Sequence, residues 1–139
     1  MSATGTLARM QAVVLAHGDD IAVHGLDLTV DRGQVVALVG GDGAGKSTTL
    51  RALAGRVTPR SGQLELPPGH ATGVMPATGA TWRDLTVTEN LEFVRSAHGG
   101  DRGFIDELIL RMALNHARDR LAGDLSGGMR QKLALAMAL

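Results

Sequence analysis

The 139-residue chain contains no cysteine and no tyrosine, and its aromatic content is only 2%. Without cysteine, a disulfide framework and a cysteine-ligated zinc site are both excluded. With so few aromatic rings, stacking on nucleic-acid bases is not expected. The 14 basic residues balance the 14 acidic ones, so the net charge gives no sign of nucleic-acid or anionic-membrane binding.

Long hydrophobic runs are missing as well. No apolar stretch approaches the roughly 20 residues that a membrane-spanning helix needs, and the N-terminus has no apolar signal-peptide core. The hydrophobic content of 44% is ordinary for a packed globular core. A chain of this length allows one domain or part of one. These features fit a cytosolic globular protein.

What the chain does have is glycine, 19 residues of it, and one glycine-rich stretch carries a motif. Residues 40–48 read GGDGAGKST and fit the template Gly, four residues, Gly, Lys, Ser/Thr of the phosphate-binding P-loop, or Walker A motif. The apolar, β-branched run VVALV at 35–39 predicts a buried strand before the loop. Residues 47–54 predict a helix after it. Strand, loop and helix are the context that the motif requires.

The residue types explain how such a loop binds phosphate. Its glycines let the backbone turn where a side chain would clash, so that successive N–H groups converge at the positive end of a helix. Lys46 can reach the β- and γ-phosphates, and Ser47 can offer its hydroxyl to Mg²⁺. A carboxylate repels phosphate, so we expect Asp42 to point to solvent. The alternative interpretation is a glycine-rich turn with an incidental lysine.

Strands are predicted from apolar alternation and from the turn residues between the runs. Residues 2–9 look like a loose end, and 17–20 and 58–62 contain turn residues. The strand predictions fall at 11–16, 26–30, 63–66 and 73–75. Residues 76–84 are predicted to form a loop.

Three helices are predicted after this loop. Thr86 and Glu89 match a capping box, so a helix should begin there and run to about His98, before Gly99 and Gly100. Apolar residues at helical spacing predict a second amphipathic helix with a core-facing side: Phe104, Ile105, Leu108, Ile109 and Met112. A third helix should begin after Ser126, its N-cap, and continue to Leu139.

The stretch LSGGMRQ at 125–131 resembles the first motif in having glycines at the start of a predicted helix. A serine and two glycines open a helix, so that N–H groups and a hydroxyl can face an anion. Alone, such a turn is usually a simple loop. Because it follows a P-loop by roughly eighty residues, it points to one group of P-loop proteins.

These segments resemble the ATP-binding subunits of ABC transporters. Residues 125–131 resemble their signature motif (LSGGQ), with Met129 at the usual Gln position. The wider run LSGGMRQKLALAMAL is most similar to ABC-2-type drug-exporter ATPases. Residues 84–91 are similar to the segment that follows the family's Q-loop, and the resemblance covers residues 11–139.

The fold implied is α/β: a P-loop NTPase core with an antiparallel β subdomain and a small helical subdomain. Residues 1–139 would form the N-terminal part of a nucleotide-binding domain, with the helical subdomain at 85–126. The family's Walker B strand, with its Mg²⁺-binding Asp and catalytic Glu, and its switch His would follow Leu139. We therefore expect the chain to be incomplete at its C-terminus and to be inactive as an ATPase by itself.

The resemblance assigns two sets of site residues. The ATP-binding residues would be His17, Gly40, Gly41, Asp42, Gly43, Ala44, Gly45, Lys46, Ser47 and Thr48, with Ser47 also binding Mg²⁺. The signature residues, which would hold the γ-phosphate of ATP bound to a second nucleotide-binding domain, would be Leu125, Ser126, Gly127, Gly128 and Met129. His17 lies where the family has its adenine-stacking aromatic residue, and it could equally be a turn residue.

One residue in the Q-loop region departs from the family pattern. Ala77 stands where the family has a glutamine that helps bind Mg²⁺, positions water and couples the site to the membrane domain. A methyl group can do none of this. Trp82 falls in the same loop, which lies near the membrane subunit in the family, and a tryptophan folded onto the core is at least as good an interpretation.

The function implied is that of an ATP-hydrolysing translocase subunit that powers an ABC exporter. Its cofactors would be ATP and Mg²⁺, and its partners a transmembrane permease and a second, identical or different, nucleotide-binding domain, with no nucleic acid. It would be cytoplasmic, on the inner face of the membrane. The alternatives are a catalytically silent nucleotide-binding subunit, which Ala77 favours, and a soluble ABC ATPase outside transport.

Overall fold

The computed structural model describes residues 5–99 and 101–139. Residues 2–4, predicted to be part of a loose end, and Gly100, predicted to help end a helix, lie outside them. The chain forms two compact units, of which the first ends at Thr72 and the second comprises Gly73–Leu139.

The first unit contains an antiparallel three-stranded sheet and one helix. Strand β1 (Thr6–His17) lies in the middle, between β2 (Asp20–Asp31) and β3 (Ser61–Glu65). Helix α1 (Lys46–Leu53) follows the glycine-rich loop, which confirms the predicted loop-to-helix transition. All three strands were anticipated by apolar patterning, but β1 and β2 extend further than predicted because they pair along most of their length.

A small apolar core holds this unit together. Met10, Val13 and Leu15 of β1 are buried in it, and an irregularity between Met10 and Val13 shifts the period-two alternation by one residue. Thr49 and Ala52 of α1 are buried too. The buried cluster consists of Met10, Val13, Leu15 and Ala52, with Val23, Leu26, Leu28, Leu53, Val57 and Leu64 packed against it.

Three of the strand-level predictions are wrong. Residues 35–39 are not a strand, and Val35 and Val39 are 99% and 93% exposed. Residues 73–75 are not a strand either, and residues 6–9 belong to β1 instead of a loose end. A strand needs a neighbour for its ladder of hydrogen bonds, and in the described residues the strands that pair are β1, β2 and β3.

The second unit is helical. It contains α2 (Val87–His98), α3 (Arg102–Arg111) and α4 (Gly127–Ala136), with short 3₁₀ turns at 115–117 and 122–124. Its core joins the three helices and the segments between them: Val87, Leu91, Ile105, Leu108, Ile109, Leu114, Ala117, Ala122, Leu125, Leu133 and Ala136. None of the helices in the described part of the chain has the length and apolarity needed to cross a membrane.

The start signals predicted for α2 and α4 are confirmed. The Thr86 hydroxyl accepts from the Glu89 amide at 3.2 Å, and the Glu89 carboxylate accepts from the Thr86 amide at 2.7 Å, which completes the predicted capping box. Gly99 ends α2, as predicted. Two details differ from prediction. Phe104 is 42% exposed instead of packed in the core, and α4 ends at Ala136 because the Ala138 amide bonds back to Leu135 in a tighter turn.

Candidate nucleotide-binding site

The glycine-rich loop turns sharply into α1. Gly43 and Gly45 adopt left-handed conformations, with φ of 81° and 79°, which glycine adopts without the steric cost of a side chain. The Ala44 amide bonds to the Gly41 carbonyl at 3.3 Å. Gly45 is the N-cap of α1 and has no side chain to cap the helix, so the first amides of the helix are left for a ligand.

Gly45 also has to be glycine because of what it touches. A Cβ atom there would lie 2.5 Å from Cγ2 of Val23 and 2.6 Å from the carbonyl oxygen of Ala22, both in β2. The loop therefore rests directly on the backbone of β2. This contact fixes the loop relative to the sheet, a relationship that the motif by itself did not indicate.

Lys46 folds its side chain back over the loop. Its Nζ atom donates to the carbonyl oxygens of Gly40 at 2.8 Å and Gly41 at 2.6 Å. An ammonium group has three N–H donors, so one donor remains beyond these two bonds. These bonds hold the positive charge of the Lys46 ammonium group over the glycine-rich loop that leads into the first turn of α1.

Around these groups lies a concavity of about 410 Å³. It is lined by Ala22, Asp42, Gly43, Ala44, Gly45, Lys46, Ser47 and Thr48. Asp42 is exposed, as predicted, but it also lines the concavity. Its exposure leaves the carboxylate screened by water and salt.

Ser47 offers a hydroxyl oxygen to a cation at this position, where Asp42 and Thr48 also carry side-chain oxygens. Ser47 is exposed and lines the concavity beside Lys46. In the part of the chain that the structure describes, no three His, Cys, Asp or Glu side chains cluster as metal ligands. Mg²⁺ usually keeps several waters and is bound by few protein groups together with substrate phosphates, so a single hydroxyl here fits its chemistry.

His17 lies at the end of β1, where it pairs with Asp20 in the tight turn to β2. It is exposed, and it is not among the residues that line the concavity. Ala22, which does line it, lies two residues after Asp20 on the same hairpin. The structure therefore places His17 at the sheet end near the loop, and its role in binding stays a prediction.

The signature segment has the geometry of a helix N-terminus. Ser126 is the N-cap of α4, and its Oγ atom accepts from the Met129 amide at 3.3 Å. A hydroxyl that accepts one bond still has its own proton to donate. Leu125 is buried, whereas Ser126, Gly127 and Gly128 are exposed.

The two glycines of this segment are not required by the fold of the chain. A Cβ atom at Gly127 or Gly128 would meet no described heavy atom within 4 Å, and neither residue has a positive φ. Alanine would also be the better helix former at both positions. The absence of side chains there keeps the surface open beside Ser126.

The segment that follows the predicted Q-loop pairs with the segment that leads to the predicted signature. The Ala122 amide donates to Leu85 at 2.8 Å, and the Gly123 amide donates to Arg83 at 2.9 Å. Thr86 and Leu121 form an antiparallel bridge. Residues 83–88 therefore run beside 118–123, which end directly before the signature. Sequence patterns did not indicate this pairing.

The start of the Q-loop region is a surface turn. The Gly79 amide donates to the Pro76 carbonyl at 3.0 Å, and Ala77 is exposed within this turn. Trp82 is 43% exposed and its ring lies 4.4 Å from that of Phe93, which is 51% exposed. Trp82 thus packs on α2 and also faces solvent, and its position near a membrane subunit stays a prediction.

Sequence reasoning missed two residues that organise this region. Asn90 is fully buried and holds the main chain of Trp82 through its side-chain amide. A polar residue between the core-facing Val87 and Leu91 was the available signal. Arg130 donates to carbonyl groups directly before Ser126, and its position one turn after the N-cap gave no comparable signal.

The loop, its helix and the concavity define a P-loop protein of the α/β class. Residues 23–139 match the ABC transporter family, and the chain belongs to that family. The resemblance inferred from the two motifs is therefore confirmed.

Several curated relatives are ATP-binding proteins of this family. The probable multidrug ABC transporter ATP-binding protein YbhF of Escherichia coli K12 is 42% identical over 87% of the chain. The Nod factor export ATP-binding protein I of Cupriavidus metallidurans is 37% identical over 96%. The sulfate/thiosulfate import ATP-binding protein CysA of Synechococcus elongatus is 39% identical over 85%. The chain spans 23%, 48% and 38% of these relatives' lengths.

Solved structures give the same fold. An ATP-binding subunit of an ABC transporter aligns with a TM-score of 0.83 and 25% identity, over 95% of this chain and 61% of that one. The cbiO1 protein of Clostridium perfringens, described as part of the ABC transporter complex cbiONQ, aligns with a TM-score of 0.83 over 96% of this chain and 61% of that one. At 22% identity, this second likeness concerns the fold alone.

Proposed function

We propose that the chain is the N-terminal part of a nucleotide-binding domain that binds and hydrolyses ATP to power an ABC membrane exporter. The observation that carries the proposal is Lys46, held by two loop carbonyls at the open N-terminus of α1. Relatives whose names state ATP binding support the nucleotide. In this proposal residues 1–139 belong to one domain, and residues 85–126 are its helical subdomain.

The phosphate chain of ATP would lie in the concavity. The amides that follow the left-handed Gly45, at the start of α1, and the third donor of Lys46 would bind the phosphate oxygens. Mg²⁺ would be bound by the Ser47 hydroxyl and by phosphate, and it would neutralise charge on the phosphates. His17, at the hairpin end beyond Ala22, would stack on the adenine.

The signature would bind the nucleotide of a second subunit. Ser126 has a hydroxyl proton to donate, and the exposed Gly127 and Gly128 leave room for another molecule to approach the first amides of α4. The positive end of the helix favours an anion there. In a head-to-tail pair, each ATP would lie between one P-loop and the partner's signature.

A permease would bind on the face that carries Trp82 and Phe93. Two neighbouring aromatic rings that are each about half exposed are unusual for solvent-facing surface and are typical of protein contacts. The subunit would then be peripheral on the cytoplasmic face of the membrane. Exporters and importers both occur among the relatives. Export is favoured by the similarity of residues 125–139 to ABC-2-type ATPases.

Two other functions would use the same site. A catalytically silent nucleotide-binding subunit is favoured by Ala77, which has no polar atom for Mg²⁺ or water. A soluble ABC ATPase outside transport would lack a permease partner. The ATPase rate of the full encoded protein, measured alone and with the product of any neighbouring gene that encodes several membrane spans, separates the three.

The site itself is tested with Lys46→Ala. We expect loss of ATP binding in equilibrium titrations with a fluorescent ATP analogue, because the loop loses its charge and a phosphate donor. Lys132→Ala removes the same charge from the exposed side of α4 and should leave the affinity unchanged. Equal nucleotide affinity in Lys46→Ala and the parent protein would refute the assignment of the site.

A further inference from the structure

Two arginines hold the backbone directly before the signature serine. The guanidinium of Arg130 donates from one nitrogen to the carbonyl oxygens of Gly123, at 3.4 Å, and Leu125. The guanidinium of Arg120 donates to the carbonyl between them, that of Asp124, at 2.9 Å. Three successive carbonyl groups therefore end on arginine donors, which form stronger hydrogen bonds than neutral groups do.

The bond to Leu125 determines the orientation of Ser126. The Leu125 carbonyl and the Ser126 amide belong to one planar peptide group, so a donor that fixes the carbonyl also fixes the direction of that amide. The Ser126 carbonyl on the other side accepts the first i→i−4 bond of α4, from the Arg130 amide at 2.9 Å, a bond that does not depend on the side chain at position 130. The part specific to arginine is therefore the bond from its guanidinium to the Leu125 carbonyl.

Side chains pack on one side of Ser126 only: Leu125 is buried in the helical core, whereas the two glycines after the serine add no packing. A Cβ atom at either Gly127 or Gly128 would find no described atom within 4 Å. Ser126 itself is exposed, and its hydroxyl accepts one bond, from the Met129 amide. The direction in which its hydroxyl and amide can bind an anion therefore depends on how the preceding peptide is held.

We propose that Arg130 is a positioning residue of the signature: it orients Ser126 toward the γ-phosphate of the ATP bound by the second subunit, and it does not touch that ATP itself. This inference rests on the proposed function. In this proposal Arg130 acts on Ser126 through the Leu125–Ser126 peptide group. Loss of its donors should weaken capture of the partner's ATP and leave the chain's own P-loop unaffected.

The test uses the full encoded protein with Arg130→Met, which keeps an apolar stem and removes the donors, and Arg130→Lys, which keeps a nitrogen that can bond two carbonyls. Two quantities are measured: affinity of the monomer for a fluorescent ATP analogue, and the ATP concentration at half-maximal dimerisation in analytical ultracentrifugation. We expect Arg130→Met to raise the half-maximal concentration about tenfold or more without changing monomer affinity. Arg130→Lys should dimerise at an ATP concentration close to that of the parent protein. Lys132→Met, which makes the same charge change on the same helix, should leave that concentration unchanged.

A double-mutant cycle with Ser126→Ala tests whether Arg130 acts through Ser126. If Arg130 acts through Ser126, then Arg130→Met adds little to Ser126→Ala. Additive effects would overturn the proposal, as would a Lys variant that behaves like the Met variant. Should Arg130→Met fail to fold, Arg130→Leu with an unchanged melting temperature takes its place, and an unchanged half-maximal concentration in that variant contradicts the inference.

Failure of the proposed function gives a different pattern. In that case the parent protein does not dimerise with ATP, or Ser126→Ala dimerises as the parent does. If Ser126→Ala loses dimerisation while Arg130→Met matches Lys132→Met, the signature assignment stands and only the positioning role of Arg130 is wrong.

Discussion

The side chain of Asn90 hydrogen-bonds both the main-chain amide and the main-chain carbonyl of Trp82. The Trp82 amide donates to Oδ1 of Asn90 at 2.8 Å, and Nδ2 of Asn90 donates to the Trp82 carbonyl at 3.0 Å. The same Nδ2 group also reaches the carbonyls of Leu85 and Thr86. Because Asn90 is fully buried, these bonds are shielded from water, and one side chain fixes the loop that enters α2.

Asn90→Asp should therefore destabilise the fold strongly. The change replaces a donor to three carbonyls by a carboxylate oxygen and buries a charge, for an expected loss of about 3 kcal/mol in unfolding free energy. Asn115→Asp is the matched control, since Asn115 is exposed at the start of a 3₁₀ turn. Urea unfolding at neutral pH measures both. Equal midpoints in the two variants would mean that Asn90 is not a structural clamp.

Gly45→Ala should damage the P-loop through the backbone. Alanine is strained at a φ of 79° and would lie 2.6 Å from the Ala22 carbonyl oxygen, for a cost of roughly 1–3 kcal/mol or more, together with loss of nucleotide affinity. Gly41→Ala is the control, because a Cβ atom there meets nothing within 4 Å and the residue has no positive φ. Thermal unfolding and nucleotide titration of both variants check this. The prediction fails if Gly45→Ala is as stable as Gly41→Ala.

The capping box should make stability depend on pH at acid values. Two hydrogen bonds lower the pKa of the Glu89 carboxyl below 4.5. The larger effect comes from the backbone amide of Thr86 and the smaller one from the Thr86 side chain. A lowered pKa in the folded state adds stability above the unfolded value, and this stability is lost as pH falls through the folded pKa. Glu89→Gln keeps an acceptor but does not titrate. The difference in unfolding free energy between the parent protein and Glu89→Gln should shrink as the pH falls from about 6 to about 3. Parallel pH curves in urea unfolding would disprove the effect.

Ala77→Gln tests whether the Q-loop alanine limits hydrolysis. Ala77 is exposed in the turn closed by Pro76 and Gly79, so glutamine should fit without cost to stability. In the full encoded protein we expect kcat for ATP to rise at least about tenfold, since a polar side chain could then position water and metal. Thr78→Gln, in the same turn, is the control. An unchanged kcat in Ala77→Gln would place the limitation elsewhere and would remove the argument from Ala77 for a silent subunit.

The helices were predictable because their signals are local. Thr86 and Glu89, three residues apart, satisfy each other's backbone partners, and Ser126 caps the helix that follows it. These groups meet through the chain's own short-range geometry. The P-loop turn was predictable for the same reason, because its glycines and Lys46 bond within seven residues.

The strand predicted at 35–39 is absent from the structure, because strand formation is not decided locally. Its apolar, β-branched residues are suited to a buried strand, but Val35 and Val39 are almost fully exposed. A strand exists only where another strand offers hydrogen bonds, and that information is not local. The same reason applies to residues 73–75, whose composition alone suggested a strand.

By itself, the sequence determined the family, the P-loop turn and the starts of α2 and α4, because each of these depends on residues close together in the chain. Only the tertiary structure revealed that Gly45 rests on Ala22, that Asn90 holds Trp82 and that the Arg130 side chain bonds the carbonyl before Ser126. The first two contacts depend on how separate segments pack, and the third on which way one long side chain turns. Residue spacing specifies neither.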